Sequence, residues 1–175
     1  MQPKRFEILD GLPAYGPMYI PVSVKGEPFY SEGLVIRFKK SDGSDWVANF
    51  STGWSNFNFV TEYPNANRII VIAKGQGYIM SPDQEKPIDT FGIGIDYILK
   101  TDDNKIILAD NCDVWIVNNE GSIWQSKRIS WDGLKDLKLQ DNLLTGLSYR
   151  PGDDQWIPFS INIDTKEIIG GSYTL

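Results

Sequence analysis

No histidine occurs in this 175-residue chain, which removes the side chain that most often carries protons at neutral pH and ligates most zinc. Ser–His–Asp and Cys–His nucleophilic chemistry and His-ligated metal centres are therefore excluded. Cysteine is almost absent as well. Cys112 stands alone, so no intramolecular disulfide can form and nothing demands an oxidising compartment. Its neighbours Asn111 and Asp113 also discourage a thiolate. No apolar run approaches the roughly 18 residues of a membrane-spanning helix. The stretch Met1 to Glu7 has neither an apolar signal core nor a small-residue cleavage site. The expectation is a cytoplasmic protein without a membrane partner.

Positive charge is also in short supply. Seventeen Lys and Arg face twenty-three Asp and Glu, for a formal net charge of −6 and a pI near 4.6. The basic residues are scattered, whereas phosphate binding relies on clustered cations that release counterions. A nucleic-acid partner is not expected. An acidic surface steers encounter with a basic protein partner.

Bulky apolar material, by contrast, is plentiful: 41% of residues are hydrophobic, and six Trp, eight Tyr and eight Phe favour strands over helices. Length alone fits one domain with a proper core over residues 1–175. Residues 1–31 hold five of the ten prolines (Pro3, Pro13, Pro17, Pro21, Pro28) and read as a non-regular arm, since proline breaks helices and is confined to strand edges. Residues 32–67 hold a β-hairpin, with Leu34, Ile36 and Phe38 alternating before a Ser-Asp-Gly turn and Trp46 to Phe50 after it. An aromatic loop follows.

From residue 68 onward a period emerges. Ile69–Ile72, Ile106–Ala109 and Leu143–Gly146 are separated by steps of 37 residues, and the first step also carries Tyr78 onto Trp115. Such spacing is the mark of a repeated supersecondary unit that cannot bury its apolar face alone. Polar turns at 74–77, 110–113, 118–121, 150–154 and 164–167 divide three strand meanders. Leu134–Leu139 is expected as a strand. Residues 91–99, interrupted by Gly92 and Gly94, are too short for an independent helix.

The segments Lys105–Ile129 and Asn142–Tyr173, each a run of antiparallel strands with one large aromatic near its centre, look like blades of a β-propeller, as in small bacterial all-β proteins. That resemblance covers residues 68–175 and is architectural, because Trp131-Asp132 occurs once and does not recur as a blade signature. It implies a radial all-β scaffold whose loops on one face bind a partner or small ligand. A β-sandwich is the alternative, since 175 residues hold fewer than five units of this length.

Candidate functional residues fall into two groups. Paired carboxylates at Asp42/Asp45, Asp102/Asp103, Asp110/Asp113, Asp132/Asp136 and Asp153/Asp154 carry either local turn hydrogen bonds or glycosidase-type chemistry. None has the spacing of a calcium loop, and no metal or cofactor is implied. Lys74-Gly75-Gln76-Gly77 precedes a strand and not a helix, so it reads as a tight turn and not a phosphate cradle. The second group is Trp54, Asn56 and Phe57 within Phe50–Phe59, together with Trp131 and Asp132. Aromatics interleaved with Asn offer stacking faces and adaptable hydrogen bonds to a partner. Alternation equally allows Trp54, Phe57 and Phe59 to line the core while Asn56 and Asn58 face water. The reading that results is a non-catalytic accessory or immunity-type protein that binds another protein. A carbohydrate-binding module or carboxylate-dependent glycan hydrolase is the alternative.

Overall fold

The computed structural model describes residues 4–16 and 18–173. Residues 1–3, with Pro3, then Pro17 and residues 174–175 lie outside that description. The chain is all-β and divides into two compact units, Met1–Asp96 and Tyr97–Leu175, each built from two four-stranded sheets.

In the first unit, one sheet contains β1 (Phe6–Leu9), β2 (Ile20–Val22), β3 (Leu34–Lys39) and β4 (Asp45–Phe50) in the order β1-β3-β4-β2. β3 and β4 are the hairpin expected from the alternation. The proline-rich segment is more regular than its composition suggests, because it supplies both edge strands of this sheet. β2 runs parallel to β4 with Pro21 in its middle, where a missing N–H is tolerated at an edge. The second sheet contains β5 (Phe59–Tyr63), β6 (Arg68–Ala73), β7 (Gln76–Met80) and β8 (Asp89–Phe91), each pairing with the next. A single 3-10 turn, Pro64–Ala66, links β5 to β6. Lys74 and Gly75 both have positive φ, 44° and 91°, as a two-residue type I′ hairpin requires. The turn is therefore two residues long, and Gln76 and Gly77 already belong to β7.

These two sheets share one core. Leu34, Ile36 and Phe38 of β3, Trp46, Ala48 and Phe50 of β4, Ile69, Val71 and Ala73 of β6, and Tyr78 and Met80 of β7 are all buried within it. Residues two apart point to the same side of a strand, so each strand contributes alternate residues. Aromatic rings knit the centre: Phe38 lies 4.9 Å from Trp46, and Phe50 lies 5.0 Å from Tyr78. Each such side chain contributes about 1.5–3 kcal/mol of burial. Their polar atoms are satisfied, with Trp46 Nε1 donating to the Pro82 carbonyl at 2.8 Å and the Tyr78 hydroxyl donating to the Ser51 carbonyl at 2.8 Å. Asp83 ties the ends of the two sheets, accepting from the Ser41 N–H, from Asn67 Nδ2 and from Arg5.

The second unit repeats the plan. β9 (Tyr97–Lys100), β10 (Ile106–Ala109), β11 (Val114–Val117) and β12 (Ile123–Gln125) form one antiparallel meander, and β13 (Leu134–Gln140), β14 (Leu143–Arg150), β15 (Gln155–Asn162) and β16 (Ile168–Gly170) form the other. Their shared core gathers Ile107, Val114, Ile116, Ile129, Leu144, Phe159 and Ile161. The three runs at 37-residue spacing are β6, β10 and the start of β14, each the second strand of its meander.

One difference among the sheets matters for function. The central strands β3, β4, β6, β7, β10 and β11 are buried on both faces, or nearly so. Two-sided burial explains their near-continuous apolar sequences. β14 and β15 instead alternate between buried and accessible residues. The last sheet thus keeps one face against the core and turns the other to solvent.

Candidate functional site

The structure places the sequence-derived candidates in two locations, one in each unit. In the first unit, the segment after β4 crosses the β6–β7 turn and is held by its main chain. The Gly53 N–H donates to the Ala73 carbonyl at 2.9 Å, Trp54 N–H to the Ile93 carbonyl at 2.8 Å and Ser55 N–H to the Lys74 carbonyl at 3.0 Å. Ser55 Oγ donates to the Ile95 carbonyl at 2.6 Å, and Asn58 Oδ1 accepts from the Lys74 N–H at 2.7 Å. On this fixed backbone the Trp54 side chain projects into solvent, 83% exposed, which excludes the core-lining alternative for it. Phe57 and Phe59 are half-buried and stack on each other with planes 9° apart. Asn56 is exposed beside them.

In the second unit, Trp131 belongs to a larger aromatic group that sequence reasoning did not assemble. Its ring meets Tyr173 edge-on at 4.6 Å, and Arg128 lies 5.0 Å over the Tyr173 ring. A second pair, Tyr149 and Trp156, faces across β14 and β15 at 5.1 Å. Lys135 from β13 places its ammonium 3.7 Å above the Trp156 ring, a favourable cation–π geometry. The Trp156 ring also packs over Gly133, where no side chain intervenes. Trp131 remains 44% exposed and Trp156 36%. Asp132 is exposed, and its charge acts on the Tyr149 hydroxyl.

Buried serines position this group. Ser130, Ser148 and Ser172 are inaccessible, and each hydroxyl joins main-chain segments that carry an aromatic. Ser172 Oγ donates to the Tyr149 carbonyl at 2.7 Å and accepts from the Trp131 N–H at 3.4 Å. Ser148 Oγ accepts from the Ser172 N–H at 2.8 Å. Ser130 Oγ donates to the Gly133 carbonyl at 2.7 Å and accepts from the Tyr149 N–H at 3.1 Å. The Ser172 and Tyr173 N–H groups both reach the Ile129 carbonyl at 3.0 Å. A backbone pinned at so many points holds its side chains with little ordering left to pay on binding.

The electrostatics are local. Arg128 donates to the Ser130 and Trp131 carbonyls and to Cys112 Sγ, and it makes no ion pair among the described residues. Burial pushes the Cys112 thiol up despite the Arg128 charge, with Asp110 and Asp113 adding to the rise. That is the reverse of an activated nucleophile. Burial and the Asp110 charge likewise raise the Asp113 carboxyl, whose Oδ1 is enclosed without a hydrogen-bond partner. The hydrogen bond to Asp154 and the charges of Asp154 and Asp132 raise the Tyr149 hydroxyl.

Most carboxylate pairs are engaged locally. Asp42 accepts from Ser44, Asp45 pairs with Arg37, Asp103 with Lys105, and Asp153 with Arg150. Asp110 Oδ1 accepts from the N–H groups of Cys112 and Asp113. No group of three or more Cys, Asp or Glu positioned to hold a metal occurs among the described residues, and no helix among them is long and apolar enough to cross a membrane.

No protein-family model matches the chain, and no curated protein matches it either. Its chemistry must be read from the surfaces themselves.

The residues missed from sequence, Arg128, Lys135, Tyr149, Trp156 and Tyr173, come from five places: before β13, in β13, in β14, in β15 and after β16. The β14–β15 register sets Tyr149 opposite Trp156, the β13–β14 pairing brings Lys135 alongside, and Tyr173 joins Arg128 and Trp131 through ring contacts. The one available signal was the parity of Tyr149 with Thr145 and Leu147 along β14, opposite to that of buried Leu144 and Ser148.

Proposed function

We propose that the protein is a non-catalytic binding module that recognises another protein, and that the face bearing Trp131–Tyr173 and Tyr149–Trp156 is its contact surface. The observation that carries this reading is the pairing of four aromatics on a serine-pinned backbone with two of them well exposed. Trp, Tyr and Arg are the residue types that dominate binding energy in protein interfaces, and this group contains all three. The accessory or immunity-type role fits a small acidic chain with no histidine and a deactivated cysteine. The blade-like reading is supported by the common order of three of the sheets, each of four antiparallel strands paired in chain sequence.

The test is direct binding to proteins encoded beside this gene, measured with the wild-type chain and with the Trp131→Ala/Trp156→Ala double variant. Micromolar binding by at least one neighbour, weakened at least tenfold in the double variant, is the expected result. Binding that the double variant leaves unchanged removes this face from the proposal. No binding by any neighbour at micromolar concentration removes the protein-binding reading.

Carbohydrate recognition is the second reading, favoured by the exposed Trp131 ring beside Asp132. Local engagement of the carboxylate pairs supports binding over hydrolysis within that reading.

A further inference from the structure

The segment that follows β16 is fastened to the proposed contact face. β16 ends at Gly170, where φ is 77°, and Gly171 follows with φ 100°, so the chain leaves the sheet through a bend that residues with side chains rarely adopt. Backbone also meets backbone there. A Cβ on Gly170 would stand 2.4 Å from the Pro158 carbonyl oxygen, and one on Gly171 would stand 2.8 Å from the Ile129 carbonyl oxygen. The bend lays Ser172 and Tyr173 across residues 129–131.

The contacts beyond the bend fall on residues 128–131 and 148–149. Ser172 N–H donates to the Ile129 carbonyl at 3.0 Å and to Ser148 Oγ at 2.8 Å, and Tyr173 N–H reaches the same Ile129 carbonyl at 3.0 Å. Ser172 Oγ sits between the Tyr149 carbonyl and the Trp131 N–H. The Tyr173 ring lies against Trp131, with Arg128 over it. These contacts are polar or lie at the surface. Ser172 is buried but contributes a hydroxyl, Tyr173 is half-buried, and among the described residues the apolar core of the second unit includes neither. Apolar burial is what couples a segment to global unfolding, and a segment held by hydrogen bonds and one ring contact opens more readily than the core beneath it.

We infer that residues 170–173 act as a strap that regulates the contact face. Seated, the form described above, the strap brings Tyr173 to Trp131 and supplies the acceptor for the Trp131 N–H. Released at Gly170–Gly171, the less populated form, it withdraws Tyr173 and leaves Trp131 without either partner while the sheets stay folded. A binding protein that grips Trp131 and Tyr173 together selects the seated form and holds it seated. This regulatory role rests on the protein-contact reading above, whereas the opening of the strap does not.

Amide hydrogen exchange of the full chain, followed by NMR, tests the inference. The N–H groups of Trp131, Ser172 and Tyr173 are expected to share one protection factor, roughly 100-fold below that of Ile107 and Ile116 on the central strands β10 and β11. Tyr173→Ala removes the ring and keeps the backbone. It is expected to lower that shared protection by about threefold to tenfold and to leave Ile107 and Ile116 unchanged. Protection of the three equal to that of Ile107 and Ile116 overturns the strap, since the segment then opens only with the whole unit. Three unrelated protection factors also overturn it, because no single element moves. Loss of protection at Ile107 and Ile116 in Tyr173→Ala overturns it by making the ring part of the fold. No binding partner enters this measurement, so the two failures are told apart: core-like protection removes the strap whether or not a neighbouring gene product binds, and shared early opening with no neighbour bound removes the contact reading and the regulatory role that rests on it.

Discussion

Ser172 Oγ donates a 2.7 Å hydrogen bond to the carbonyl of Tyr149, twenty-three residues earlier, while accepting from the N–H of Trp131. One buried hydroxyl therefore fixes the backbone of two aromatics on the proposed contact face and precedes a third, Tyr173. Small polar residues inside the second unit decide the geometry of large apolar ones outside it.

Ser172→Ala should destabilise the chain by about 1–3 kcal/mol, because the Tyr149 carbonyl loses its 2.7 Å donor, keeping only Ser130 Oγ at 3.3 Å, and the Trp131 N–H loses its acceptor. Urea unfolding measures the loss. The same variant should broaden the Trp131 indole NMR signal while the signal of buried Trp115 stays sharp.

Gly53→Ala should be more damaging than its size suggests. A Cβ at this position would stand 2.1 Å from the Ile93 carbonyl oxygen and 2.6 Å from the Gln76 nitrogen, both backbone atoms that cannot step aside. A loss of about 2 kcal/mol or more is expected, seen as a lower urea midpoint with an unchanged slope.

Trp54→Ala should behave in the opposite way. With its ring 83% exposed, truncation should change unfolding free energy by no more than about 0.5 kcal/mol. A larger loss would show that the ring supports the fold and is not free for a partner.

Acid should act through Asp83. The Ser41 N–H, with Asn67 and Arg5, holds its carboxyl well below the ordinary carboxylate range. A depressed folded-state value means the stabilisation is fully present above the unfolded value of about 3.9. It is lost as pH falls from there toward the folded value. Urea midpoints measured from pH 6 down to 2 should fall below about pH 4, and Asp83→Asn should start lower at pH 6 and fall less steeply.

The hairpin of β3 and β4 and the apolar strands β6, β10 and β14 were all readable from sequence, because alternation and continuous apolar runs report directly on one-sided and two-sided burial. Edge strands were harder. β1, β2 and β8 have three or four residues each and little periodicity, so they form only because a neighbouring strand offers hydrogen bonds. For the candidate site, the sequence left Trp54 and Phe57 open between core and surface, and only the structure shows Trp54 exposed, with Asn56, Trp131 and Asp132, and Phe57 half-buried.

Composition alone determined that this chain cannot use imidazole chemistry or an internal disulfide, that it is rich enough in strand-forming residues for an all-β fold, and that its aspartates concentrate at turns. Those properties belong to residue types and short-range pattern. Which aromatics stand together and which sheet turns a face to solvent depend on cross-strand register and on packing between sheets. Such relationships join residues far apart in the chain, and only the tertiary structure could set Trp156 beside Tyr149 and Lys135.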